Sequence, residues 1–119
     1  MADRRLYYLF VCYANENRSP TAEDVCRKIA RANGLDIEAG SAGISIGANR
    51  PLTHEMADKA DKIFVMEEDM RIRLVQDYEQ NAAKIICLDI PDVYSRDDPI
   101  LIYILEGKLY EFLVGEGLL

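Results

Sequence analysis

The chain has 119 residues, half of them hydrophobic and 29% charged, with no Trp; this is the composition of one soluble globular domain, spanning residues 1–119. No apolar run approaches the roughly 20 residues that a membrane-spanning helix needs, so a membrane is not an expected partner. Lys plus Arg number 14 against 21 for Asp plus Glu, a formal net charge of −7 that repels polyanions at long range and argues against nucleic acid as a partner. A phosphorylated ligand therefore has to be held by a compact local set of donors. The cysteines, Cys12, Cys26 and Cys87, are odd in number and widely spaced. They suit neither a disulfide framework nor a four-ligand zinc site and point to a reducing, cytoplasmic compartment.

Arg4 and Arg5 ahead of Leu6 to Val11 loosely imitate an export signal, and Leu9-Phe10-Val11-Cys12 a lipoprotein cleavage site. Bulky Phe10 and Val11 stand where small residues are required, and the apolar stretch is short. LYYLFVC (6–12) reads instead as a buried strand. Ser19-Pro20-Thr21-Ala22-Glu23 carries the Ser, first-turn Pro and following Glu of a helix start, and that helix runs to about Ala32, stopping at Asn33-Gly34.

LDIEAG (35–40) alternates apolar and polar residues as an outer strand does, and SAGISIGANRP after it is a glycine-bearing loop able to approach a ligand closely. A short helix is expected at about Leu52 to Lys59, an apolar strand at 63–66, a helix at 67–81, and a third apolar strand, KIICLDI, at 84–90. PDVYSRDDP (91–99) is a loop, and a last helix runs from about Pro99 to Leu113. Strands alternating with helices predict a parallel sheet with helices on both faces, because parallel neighbours need crossover connections. Ligands of such folds bind beyond the carboxyl ends of the strands, which directs attention to the loops at 12–19, 41–50 and 89–99.

The first of these loops carries the chemistry. Cys12-Tyr13-Ala14-Asn15-Glu16-Asn17-Arg18-Ser19 places a cysteine at a strand end, an arginine six positions later and a helix start immediately after. Five intervening residues let the loop curl so that successive backbone N–H groups point inward, and the helix terminus adds donors and partial positive charge. Arg18 supplies a fixed charge with the bidentate geometry a phosphoryl group prefers, and that field favours the Cys12 thiolate. Asn15 and Asn17 suit left-handed backbone angles. The Ser19 hydroxyl, beside the arginine, can donate to the sulfur. Taken singly, Cys12 reads as a core thiol, Arg18 as a solvated side chain and Ser19 as a plain helix cap; together, at one strand-to-helix turn, they read as an oxyanion cradle over a nucleophile.

VCYANENRSPTAE resembles the phosphate-loop signature of the low-molecular-weight protein tyrosine phosphatases. SAGIS (41–45), KIFVMEEDM (62–70) and Asp98-Pro99 resemble, in order, the segment after that family's second strand, its third strand with the following turn, and its acid loop. The resemblance implies a three-layer α/β/α sandwich on a four-stranded parallel sheet in the flavodoxin-like order 2-1-3-4. It also implies a two-step mechanism without metal or cofactor. Cys12 attacks phosphorus to give a phosphocysteine, and Asp98 protonates the leaving group and then activates water. Arg18 and the backbone N–H groups of Tyr13, Ala14, Asn15, Glu16, Asn17 and Arg18 bind the phosphoryl oxygens, while Asn15 and Ser19 order the loop by mutual hydrogen bonding. The implied partners are a phosphotyrosine protein or a small phosphomonoester, with phosphate or sulfate able to occupy the loop. From the residues alone the acid stays open, since Asp89, Asp92 and Asp97 lie close to Asp98.

The chain also departs from the family pattern. A second loop cysteine, common among relatives as a protective disulfide partner, is replaced by Asn17. Where larger relatives carry aromatic residues around the substrate ring, Ile100 and Leu101 follow Asp98-Pro99, and Ile46-Gly47 occupy the loop after SAGIS. An aliphatic wall accepts an aryl ring by burial without stacking; Tyr13 and Tyr94 are the aromatic residues nearest the motif. The segment between residues 43 and 60 is brief, which predicts a low pocket rim. His54 reads as a surface residue, and Cys26 and Cys87 as core packing. Two other functions compete with phosphoester hydrolysis. One is a thioredoxin-linked arsenate reductase, which needs two further cysteines near the site; the other is a non-catalytic phosphate-binding or phosphoprotein-binding module, which needs neither nucleophile nor acid.

Overall fold

A computed structural model of the protein describes residues 5–119. Arg4 of the export-like segment lies outside the described residues. The elements follow in the order β1 (Leu6–Cys12), α1 (Arg18–Asn33), β2 (Ile37–Gly43), α2 (His54–Lys59), β3 (Lys62–Val65), α3 (Glu68–Asp77), β4 (Ile85–Cys87) and α4 (Pro99–Gly115). The strands pair in parallel, as the sequence pattern predicts, in the order β2-β1-β3-β4 that the family resemblance implies. Helices α1 and α4 pack together on one side, and α3 lies against β3 and β4. No helix among the described residues is long and apolar enough to cross a membrane.

β1 is flanked by β2 on one side and β3 on the other, so residues 8–12 are buried throughout. A continuous apolar run is what a strand covered on both faces requires. Its Tyr8 and Phe10 share a ring cluster with Phe64 of β3, at 5.2 and 4.8 Å between centroids, and Phe112 of α4 closes the cluster 5.0 Å from Phe64. This cluster ties the sheet to the last helix. α1 ends where Gly34 takes a left-handed φ of 65°, a conformation that glycine adopts without steric cost.

Four boundaries differ from the sequence expectation. β2 runs to Gly43 and not to Gly40, because the small residues of Gly40-Ser41-Ala42-Gly43 continue the ladder beside Leu9 to Cys12. Small side chains carry no periodicity to reveal this. α2 begins at His54, where Thr53 Oγ1 accepts from Met56 N at 3.1 Å. α3 stops at Asp77, before Glu79 takes a φ of 55°. β4 keeps only three residues. Leu88 and Ile90 still donate to Val65 O and Met66 O, each at 2.8 Å, but Asp89 between them has a φ of 55° and turns the chain out of the sheet.

These ends bring the loops after β1, β2 and β4 to one edge of the sheet. Gly43 is the tightest point of that edge: a Cβ there would stand 2.6 Å from Tyr13 O and 2.6 Å from Ala48 Cβ. Gly43→Ala is therefore expected to destabilise the protein by about 1–3 kcal/mol, the usual range for overpacking. The check is the urea midpoint at unchanged m-value; an unaltered midpoint would mean the edge yields without strain.

Candidate active site

Between β1 and α1, the carbonyls of the turn are tied outward. Cys12 O, Tyr13 O and Ala14 O accept from the amides of Ile44, Ser45 and Asn49 at 3.1, 2.8 and 3.0 Å, and Asn15 O accepts from Asn49 Nδ2 at 3.3 Å. The amides of residues 13–17 donate to no group among the described residues. A loop whose acceptors are spent and whose donors converge is a ready anion cradle. Asn15 makes the curl possible with a φ of 56°. Asn17 does not adopt the left-handed angle expected of it; its φ is −119° and it forms the N-terminal boundary of α1 without a side-chain cap.

Beneath the loop the Cys12 sulfur is buried, with Ser19 Oγ 2.9 Å away. Asn15 Nδ2 donates to the same Ser19 oxygen at 2.9 Å. With its oxygen accepting from Asn15, the Ser19 O–H has two acceptors within reach, the sulfur and Ala42 O at 3.5 Å, and the sulfur is the nearer. Ser19 lies within the first turn of α1 and is not its cap.

Arg18 is 1% exposed. Its Nη1 donates to Glu67 Oε2 and to Ile90 O, both at 2.6 Å, and its Nε lies 3.6 Å from Asp92 Oδ1. The Tyr13 ring sits 5.6 Å from the guanidinium carbon. No hydrogen bond from Nη2 is found among the described residues, which leaves that edge of the fork for an anion. A buried guanidinium needs such charged and polar partners to offset its desolvation. Glu67 follows β3 directly and was not singled out by sequence; its signal is its place at the carboxyl end of a strand.

Cys12, Tyr13, Ala14, Glu16, Asn17, Arg18 and Asp92 line a cavity of about 50 Å³ over the sulfur. That volume suits one small oxyanion and is far below the several hundred Å³ of a drug-sized pocket. Asp98, the expected acid, lies outside this cavity. Asp98 Oδ1 accepts from Ile100 N at 2.8 Å as the cap of α4, with Pro99 in the first turn, and it does not line the cavity. The carboxylates that do are those of Glu16 and Asp92, and of these Asp92 also lies 3.6 Å from Arg18 Nε.

The loop bearing Asp92 is clamped at both ends. Ile90 O is held by Arg18, Asn17 Oδ1 accepts from Arg96 N at 3.0 Å, and Thr21 Oγ1 accepts from Asp97 N at 3.0 Å. Asn17, standing where relatives carry a cysteine, thus acts as a strut between the two loops.

The other residues considered fall around this centre. Tyr13 donates its hydroxyl to Asp69, and that hydrogen bond pushes its ionisation up to about 12. Glu16 is exposed at the cavity mouth. Leu101, expected on an aliphatic wall, is buried in the core beneath α4, while Ile46 is fully exposed and Tyr94 half-buried. His54 is exposed at the start of α2, its ring 5.0 Å from Tyr78. Cys26 is buried, and burial pushes its thiol up to about 12; burial also raises Cys87. No group of three His, Cys, Asp or Glu among the described residues is placed to hold a metal ion.

Residues 8–62 match the profile of the family described as low molecular weight phosphotyrosine protein phosphatase. The match spans β1 to the start of β3, including the loop from Cys12 to Ser19 and the SAGIS segment, so the resemblance read from those residues is confirmed. No curated protein matches the chain. Among solved structures, the low molecular weight protein tyrosine phosphatase from T. tengcongensis is 23% identical, with a TM-score of 0.78 over 92% of this chain and 99% of that one. The tyrosine phosphatase Wzb from Escherichia coli K30, in complex with phosphate, is 19% identical, with a TM-score of 0.75 over 92% and 96%. The YwlE arginine phosphatase, a protein of Bacillus subtilis, is 21% identical, with a TM-score of 0.72 over 91% and 95%. These likenesses are of fold.

The three cysteines should separate chemically. With iodoacetate at neutral pH, Cys12 is expected to be carboxymethylated and Cys26, whose raised ionisation keeps it a protonated buried thiol, to remain unmodified. Inorganic phosphate should slow the reaction at Cys12. Peptide mass mapping reads both effects, and equal labelling of Cys26 in the folded protein would contradict the arrangement.

Proposed function

On the premise of that family match and fold, we propose that the protein is a phosphomonoester hydrolase that works through a phosphocysteine, without metal or cofactor. The observation that carries this reading is that Cys12, Arg18, Asp92 and the loop residues Tyr13, Ala14, Glu16 and Asn17, whose amides have no acceptor among the described residues, line one small cavity. The Cys12 thiolate attacks phosphorus, forming the S–P bond as the ester P–O bond breaks, and Asp92 delivers its proton to the departing oxygen. Asp92, now a carboxylate, takes a proton from water. The water oxygen bonds to phosphorus, the S–P bond breaks, and inorganic phosphate and the thiolate are regenerated.

Each supporting group has a defined task. The converging amides and the Arg18 fork stabilise the charge that spreads over the equatorial oxygens. Ser19, oriented by Asn15, stabilises the sulfur as nucleophile and as leaving group. Glu67 and Ile90 fix the guanidinium so that little reorganisation is needed when the phosphoryl group arrives. A protein that only bound phosphate would need neither the sulfur nor the carboxylate, and an arsenate reductase would need resolving thiols that buried Cys26 is poorly suited to supply.

Phosphotyrosine in a protein is the substrate class we assign first, following the family pattern. A second class, phosphoarginine, is favoured by the cavity lining, which includes the carboxylates of Glu16 and Asp92. A cationic guanidinium leaving group suits such a lining. The YwlE neighbour is described as an arginine phosphatase.

Hydrolysis of p-nitrophenyl phosphate in the presence of EDTA tests the mechanism. Cys12→Ser is expected to abolish turnover, Arg18→Ala to lower kcat/KM by about 10²–10³ or more, and Asp92→Asn to lower kcat by about 10²–10⁴. Asp98→Asn should stay within a few-fold of wild type, since Asn caps a helix as well as Asp does. A loss in Asp98→Asn equal to that in Asp92→Asn would refute the acid assignment, and no turnover by folded wild type would refute the hydrolase itself. Phosphotyrosine and phosphoarginine peptides, compared by kcat/KM, then decide the substrate class.

A further inference from the structure

α4 has two apolar faces. Leu101, Leu105, Leu109 and Leu113 are buried against the rest of the fold. On the opposite side Ile100, Tyr103, Tyr110 and Val114 are 61%, 78%, 39% and 59% exposed, with exposed Gly107 between the tyrosines. Successive steps of three, four, three and four residues, from 100 to 103, 107, 110 and 114, place all five on one stripe of the helix. This is the repeat of a helix-pairing seam. A helix apolar all round is normally covered all round.

Gly107 has no purpose within one copy of the chain. A Cβ there would meet nothing within 4 Å, and glycine in a helix interior is less favourable than alanine. The main chain is therefore bare at the middle of the stripe. Around it lies an open depression of about 500 Å³ whose lining includes Tyr103, Ile104 and Tyr110. Small residues at that place allow another helix to approach closely.

The order of residue types along the stripe identifies the visitor. Counted from Gly107, there is an aliphatic residue at −7, a tyrosine at −4, the glycine itself, a tyrosine at +3 and an aliphatic residue at +7. The stripe reads nearly the same in both directions. An isologous two-fold contact needs a surface complementary to its own reverse. We infer that α4 is the contact between two copies of this chain, crossing antiparallel at Gly107. Ile100 of one copy then lies beside Val114 of the other, and the tyrosines of each helix straddle the glycine of its mate.

The stripe covers 14 steps of helix, about 21 Å. One helix pair of that length buries less than the roughly 1,600 Å² of a standard stable interface, so the dimer is reversible and depends on concentration. Each copy carries a net charge of −7. The copies repel at long range, and the charges bordering the seam, Glu106, Lys108 and Glu111, are themselves net negative in each copy, so added salt strengthens the association by screening.

Sedimentation of the full chain from micromolar to near-millimolar concentration tests this. Wild type is expected to pass from monomer to dimer, with the midpoint moving to lower concentration as salt is raised. Gly107→Gln, which the open space around Gly107 accommodates and which suits a helix, should remain monomeric over the same range with a thermal midpoint no lower than wild type and unchanged phosphatase activity; Tyr103→Glu should likewise remain monomeric and active. Ile72→Gln, an exposed apolar change on α3, should dimerise as wild type does. Gly107→Cys, at the crossing point, should yield a disulfide-linked dimer on mild oxidation. Wild type that stays monomeric throughout would overturn the inference and assign the stripe to a different partner. A dimer that survives both Gly107→Gln and Tyr103→Glu would overturn it by placing the contact elsewhere.

Discussion

Five backbone amides that find no acceptor among the described residues set the terms for everything around them. Leaving the donors of residues 13–17 unpaired is costly unless an anion meets them, and the structure holds them so by spending the carbonyls of residues 12–15 on neighbours. The β2–α2 loop supplies the donors that spend them, through Ile44, Ser45 and Asn49. That loop can come so close only because Gly43 has no side chain. The cradle is thus made by two loops, one that presents donors and one that prevents them from turning away.

Arg18 joins this cradle to the other half of the sheet. Its guanidinium touches the residue after β3 through Glu67 and the segment after β4 through Ile90 and Asp92. A charge buried to this degree is held by several partners at once, and each partner is in turn fixed by it. The Asp92 loop gains its place from Arg18 at one end and from Asn17 and Thr21 at the other. Arg18 and the Asp92 loop are therefore positioned by shared contacts and not independently.

The parts legible in the sequence are those in which local chemistry and tertiary role coincide. β1 is apolar because it is central. The span from Cys12 to Ser19 is short enough for its geometry to follow from spacing, and the helix after it carries its own start and stop. Asp98-Pro99 is ambiguous in sequence, because a helix cap followed by a first-turn proline has the same two letters as the pair sought for chemistry. Position separates the candidates: Asp92 stands a few residues past the end of β4, where parallel sheets gather ligands, whereas Asp98 has already reached the next helix. Asn17 was legible as special and misread as to why, since its side chain, and not its backbone angle, is used. The second face of α4 lay hidden behind the first, because a helix apolar on both sides shows little periodicity.

The loop from Ile44 to Asn49 also bears on how such a protein diversifies. Its main chain is committed to the cradle, yet the side chain of Ile46 is fully exposed and carries none of that structure. Substitution there alters the exposed face of the loop and leaves the hydrogen bonds beneath it untouched. Surface character can drift through that position by single neutral-looking changes while the cradle stays the same.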